Sequence, residues 1–84
     1  MSEQNAALLT LIGQEVNRIL ADKGEAPVAI SADTVFLDGP LPFDSLDLAT
    51  LIVALEGVTG KDPFRSGFRQ FTKAGELAAL YADV

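Results

Sequence analysis

Ser45 is the residue best placed to do chemistry. It lies in the stretch Phe43-Asp44-Ser45-Leu46-Asp47. A serine hydroxyl can attack an electrophile or carry a covalent group. As a catalytic nucleophile it needs a neighbouring base, and the chain has no histidine. Cysteine is absent too, so there is neither a thiol nucleophile nor a His/Cys zinc site. The adjacent acids Asp44 and Asp47 do not easily activate a hydroxyl alone. Asp33, Asp38, Asp44 and Asp47 lack the ligand spacing of a calcium loop. Gly57-Val58-Thr59-Gly60-Lys61 lacks the spacing of a phosphate-binding loop. No catalytic residue and no metal ligand is therefore expected. Ser45 is left as a helix-capping serine, favoured at such a position for local reasons, or as an attachment point.

The element that must position it is a helix. Pro40 and Pro42 keep the preceding chain extended. Asp44 has the side chain of a good N-cap, and Asp47 adds a negative charge at the positive end of the helix dipole. The helix should begin at Asp44 or Ser45 and end at Gly57 to Gly60. At about 100° per residue, Leu48, Leu51, Ile52 and Leu55 make one apolar stripe roughly 100° wide. Leu46 and Val53 fall on the opposite side, with Thr50 and Asp47 further round it. Two branched apolar residues beside a helix-mouth hydroxyl predict a docking surface. A phosphate carried on Ser45 would meet first-turn N–H groups and the positive dipole end.

These residues carry a resemblance. Asp44-Ser45-Leu46-Asp47, followed by an apolar helix ending Ala54-Leu55-Glu56, resembles the acyl carrier protein family. Leu37-Asp38-Gly39 late in a long loop, and Phe71-Thr72 leading into Gly75-Glu76-Leu77, extend the similarity over most of the 84 residues. The resemblance implies that Ser45 carries 4′-phosphopantetheine, transferred from coenzyme A by a phosphopantetheinyl transferase. Acyl groups would ride as thioesters on the arm's thiol. The chain would perform no chemistry itself. An acyl-loading ligase or transacylase and a ketosynthase, or other acyl-processing enzymes, are the partners implied. Asp44, Leu46, Asp47, Thr50, Val53 and Glu56 are the expected partner-recognition residues. In the family the acyl chain can fold back between helices, and Ile52, Leu55, Phe64 and Phe68 are the expected neighbours of such a cavity. Pro42-Phe43 replaces the family's usual Gly-small pair before Asp-Ser, and Asp62-Pro63-Phe64-Arg65 is basic rather than acidic. These departures make a specialised pathway, such as polyketide, lipid-modification or aminoacyl-carrier work, as plausible as general fatty-acid synthesis. An unmodified helical interaction module using Leu46 and Val53 is the competing reading.

Composition agrees with a small carrier. Eighty-four residues allow one domain, residues 1–84, with one small core. The formal charge of −6 is unevenly spread. Residues 1–60 hold nine acids and two bases, a net −7, whereas 61–84 hold three acids and four bases, a net +1. Such a chain is unsuited to nucleic acid, whose phosphates need clustered Lys and Arg. No stretch reaches the roughly 18 apolar residues of a membrane span, and the first residues lack a signal peptide's basic start. A cytoplasmic monomer is expected.

The remaining segments read as an all-α, up-down four-helix bundle, three main helices plus one short one, with a long loop between helices 1 and 2. Residues 5–22 place Leu8, Leu9, Ile12, Val16, Ile19 and Leu20 on one face, with Leu11 and Glu15 off it. Residues 23–43 form the loop; Val28 and Ile30 could anchor it, and Ser31 could cap a short turn. Val28-Ala29-Ile30 and Thr34-Val35-Phe36-Leu37 leave a strand pair open. Phe64, Phe68 and Phe71 are spaced for a short third helix entered at Pro63, with Arg65 and Arg69 sharing its other face. Thr72 is the expected cap of the last helix, with Leu77, Leu80 and Tyr81 inward.

Overall fold

The computed structural model describes residues 3–65, 67 and 69–83, with side chains from Asn5 onward. The described residues form three helices: α1 (Glu3–Asp22), α2 (Ser45–Thr59) and α3 (Ala74–Ala82). Among the described residues there is no strand, only an isolated bridge between Val35 and Lys73. The fold is all-helical, as expected.

α1 is the central element and packs against both α2 and α3. Ile12, Val16, Ile19 and Leu20 are buried, and Leu8 and Leu9 pack partly on the core. A helix with neighbours on two sides buries a wider arc than one stripe. Leu11 therefore also reaches the core, and Glu15, expected outside the face, is buried. Its carboxylate lies 3.3 Å from the Arg18 guanidinium at the solvent edge, with the stem covering apolar surface.

α1 ends in a Schellman motif. The Glu25 N–H donates to the Leu20 carbonyl at 2.8 Å and the Gly24 N–H to that of Ala21 at 3.0 Å. Gly24 takes the required positive φ of 80°. This places Lys23 at the C-cap, where a cation meets the negative end of the helix dipole.

The connection then crosses the bundle as an ordered loop. Asn17 pins it to α1: its Oδ1 accepts from the Val28 N–H at 2.7 Å and its Nδ2 donates to the Val28 carbonyl at 3.0 Å. Ile30 packs partly on the core, whereas Val28 stays 36% exposed. The short turn at Ser31 is present, with the Thr34 N–H on the Ser31 carbonyl at 3.1 Å. The strand pair within the loop does not form. Its second half bonds instead to the chain before α3: the Phe36 N–H donates to Thr72 O at 3.1 Å and the Ala74 N–H to Thr34 O at 2.9 Å. Phe36, Leu41 and Phe43 are buried.

Among the described residues the short helix expected near residue 64 is not seen. Residues 63–65 make only a turn, with i→i+3 bonds from Arg65 to Asp62 and from Gly67 to Phe64. Gly67, at φ 139°, adopts a backbone that no α-helix contains. Phe64 and Phe71 still face inward, through ring contacts with each other at 6.0 Å and from Phe71 to Phe36 at 5.9 Å. Phe68 lies outside the described residues. Arg65 and Arg69 are exposed, but with no helix there they share no helix face.

α3 is capped at Lys73, not Thr72. Glu76 Oε1 accepts the Thr72 N–H at 2.7 Å and the Lys73 N–H at 2.9 Å. These N–H groups, that of Thr72 first, hold the Glu76 carboxyl below its usual range. Leu77 and Tyr81 are buried beside Ala74 and Ala78, with Leu80 partly so. On α2 only Leu51 and Leu55 are fully buried, with Leu48 packed against the core. Ile52, expected in the stripe, is half-buried and outside the core cluster. The α2 backbone approaches that of α1 more closely than that of α3, and Leu51 and Leu55 join α3's Leu77 and Tyr81 in one core.

Candidate functional site

Ser45 is the first residue of α2 and its side chain is exposed. A reciprocal capping box fixes the turn it sits on. Asp44 Oδ1 accepts the Asp47 N–H at 2.8 Å, and Asp47 Oδ2 accepts the Asp44 N–H at 3.1 Å. The Asp44 carbonyl takes the Leu48 N–H at 3.0 Å, closing the first helical turn. Upstream, Leu41 and Phe43 are buried on alternate positions and Phe43 stacks on Phe36, with centroids 6.3 Å apart. The chain is therefore held from both sides of Ser45, and the hydroxyl is left at the surface.

A contact that the sequence analysis missed completes the site. Lys23 Nζ donates to Asp47 Oδ2 at 2.7 Å and to the Pro42 carbonyl at 2.6 Å. The Lys23 ammonium, ahead of the Asp44 N–H, holds the Asp47 carboxyl below the usual range. Asp47 in turn raises the lysine's pKa. Lys23 is one of only two bases in the first sixty residues. That scarcity, with its position at a helix end, was the signal available.

The expected recognition residues divide into two groups. Leu46 is 73% exposed and Val53 69%. Thr50 and Glu56 are exposed as well, although the Thr50 hydroxyl is engaged with the Leu46 carbonyl at 3.0 Å. Asp44 and Asp47, by contrast, spend carboxylate oxygens on the capping box, and Asp47 on Lys23 too. Of the expected cavity neighbours, Leu55 is buried and Ile52 and Phe64 are half-buried. An open pocket of about 280 Å³ lies elsewhere, within the α1–α2 connection, lined by Val28, Thr34, Val35 and Leu41 among others. Among the described residues no cluster of acids is arranged to hold a metal ion, and no helix is long and apolar enough to cross a membrane.

No protein-family model and no curated protein matches the chain. It is, however, similar to a solved structure: that of MacpD, an acyl carrier protein from Pseudomonas fluorescens involved in mupirocin biosynthesis. The TM-score is 0.84 and the identity 34%, over 95% of this chain and 72% of that one. The chain belongs to the acyl carrier protein family. Membership makes it a carrier and not an enzyme, in keeping with a serine that has no base beside it. At the α2 mouth the Ser45 side chain is exposed on a backbone held by the capping box.

Proposed function

We propose that Ser45 Oγ carries 4′-phosphopantetheine through a phosphodiester and that acyl intermediates ride on the arm's terminal thiol as thioesters. The observation that carries this reading is the exposed serine at the first position of a capped helix, in a member of the acyl carrier protein family. The site fits the group. The hydroxyl is accessible, the first-turn N–H groups and the dipole favour a phosphate, and the Lys23 ammonium partly offsets the two neighbouring carboxylates. When bound, the arm supplies the reactive thiol. This chain's own residues orient the attachment point and present the exposed α2 face.

On this reading residues 1–84 act as a single, monomeric, cytoplasmic carrier domain. A phosphopantetheinyl transferase moves the arm from coenzyme A to Ser45 Oγ, breaking the pyrophosphate bond and releasing adenosine 3′,5′-bisphosphate, and an acyl-loading ligase or transacylase charges it. A ketosynthase or a related enzyme then consumes the acyl group. Polyketide synthesis is the favoured setting, because MacpD belongs to mupirocin biosynthesis. Leu46, Thr50, Val53 and Glu56 form the surface shown to these enzymes, with Asp44 and Asp47 at its Ser45 end.

The test uses a coenzyme A analogue with a fluorescent group on its thiol, magnesium and a broad-specificity transferase. Wild type should become fluorescent and Ser45→Ala should not. Label on Ser45→Ala would move the attachment point elsewhere. No label on either protein would favour the unmodified interaction module.

A further inference from the structure

Lys23 joins three parts of the chain at one point. It belongs to the C-cap of α1. It donates to the Pro42 carbonyl in the segment that enters the site, and to the Asp47 carboxylate in the first turn of α2. Of an ammonium's three donors, two are thus committed to the residues flanking Ser45. The pair is not loosely splayed on the surface: the Asp47 side chain is 14% exposed and that of Lys23 33%. Asp47 Oδ2 also takes the Asp44 N–H, so one carboxylate oxygen links Lys23 to the N-cap itself.

We propose that Lys23 is a positioning residue for Ser45, clamping the Pro42 carbonyl and the Asp47 carboxylate so that the α2 mouth stays in the conformation an arm-transferring enzyme accepts. The inference rests on the reading of Ser45 as the attachment site. Buried Leu41 and Phe43 anchor the entering segment by their side chains, but the Pro42 carbonyl between them is held through Lys23. Without the ammonium, Asp47 also keeps a carboxylate with no cation against it, close to Asp44 and to the phosphate that would arrive. A mouth that is correctly formed for only part of the time binds its enzyme more weakly by that fraction. The effect therefore belongs in KM and not in kcat.

The experiment compares wild type, Lys23→Met and Lys23→Arg as full chains. Lys23→Met keeps the stem and removes the charge and the donors. Lys23→Arg keeps a cation with donors of similar reach. Two readouts are taken: kcat and KM for arm transfer from coenzyme A, and amide hydrogen exchange of the unmodified protein at Asp47 and Leu48. The Leu77 and Tyr81 amides of α3 serve as the folding control. In Lys23→Met, the malformed-to-formed ratio of the mouth should rise about fivefold, the size of a well-held surface ion pair, which raises KM by at most about fivefold. Exchange at Asp47 and Leu48 should quicken by a similar factor, with kcat and the α3 amides unchanged. Lys23→Arg should restore most of both. Unchanged KM and exchange in Lys23→Met would overturn the proposal. A raised KM with unchanged exchange would overturn it too, since Lys23 would then act on the enzyme directly. A wild type that accepts no arm would overturn the attachment reading and this role together, whereas a modified wild type with an indifferent Lys23→Met overturns this role alone.

Discussion

Leu51 and Val53 lie two residues apart on α2 and give the sharpest test of how the helix divides between core and docking surface. Leu51 is 0% exposed and Val53 69%. Truncating a fully buried leucine to alanine costs about 2–5 kcal/mol. A chain of 84 residues has a total stability of roughly 4–13 kcal/mol at the usual value per residue. Leu51→Ala should thus lose a large part of it, with a melting temperature lower by roughly 10–30 °C at about 4–8 °C per kcal/mol. Val53→Asp changes a site that touches little, and should stay within about 0.5 kcal/mol of wild type. Its effect should appear in arm transfer: a charge placed where an enzyme buries an apolar side chain should lower kcat/KM by about tenfold, equivalent to about 1.4 kcal/mol. Urea unfolding of both variants, followed by transfer kinetics on Val53→Asp, separates the two roles. Equal destabilisation by the two substitutions would refute the helical phase. A stable Val53→Asp with wild-type transfer would refute the docking role.

Further outcomes follow from packing and burial. A Cβ at Gly75 would meet the Cβ and the carbonyl oxygen of Ala32 at 2.8 and 2.9 Å, whereas one at Gly13 would meet the Ile30 side chain at an ordinary 3.5 Å. Gly75→Ala should lose about 1–3 kcal/mol by overpacking, and Gly13→Ala should gain about 0.5–1 kcal/mol of helix preference; urea midpoints moving in the same direction would contradict this. Tyr81 is buried with no partner for its hydroxyl among the described residues, and burial, ahead of the Asp62 and Glu56 charges, pushes it up to about 12. Its folded value exceeds its ordinary value of 10, so the stability it contributes is complete below about pH 10 and is lost as pH rises through about 12. Unfolding measured across this window should show a loss in wild type that Tyr81→Phe lacks. As the chain's sole tyrosine, it can also be titrated directly by phenolate absorbance.

The site was legible in the sequence where local rules govern it. Prolines before, Asp44 at the cap and Asp47 three residues later specify the α2 mouth within a few positions, and the 3.6-residue period put Leu46 and Val53 outside. Legibility failed where distant segments decide. Lys23 lies 24 residues from Asp47, and nothing in the local pattern of a helix stop marks its long-range partners. Glu15 is buried because it lies only about 20° from the Leu8 edge of the α1 face and α1 packs on two helices, and Ile52, at the edge of the α2 stripe, is half-buried; periodicity alone does not fix how far a buried arc extends. The phenylalanine spacing after Pro63 imitated a helix. Gly67 breaks that backbone, and the aromatic contacts of Phe64 with Phe71 and of Phe71 with Phe36 draw these side chains inward without one. The strand pair that the long loop left open does not form, because the chain entering α3 takes the bonds offered by Thr34 and Phe36.

The account's central claim is that Ser45 is the attachment point of the arm. The most direct measurement is the intact mass of wild type and Ser45→Ala, each produced together with a broad-specificity phosphopantetheinyl transferase, followed by fragmentation of the wild-type peptide spanning Pro42 to Glu56. One phosphopantetheinyl group should be added to wild type, located on Ser45, and none to Ser45→Ala. An unmodified wild type across several transferases, or an arm located on any other residue, would contradict it.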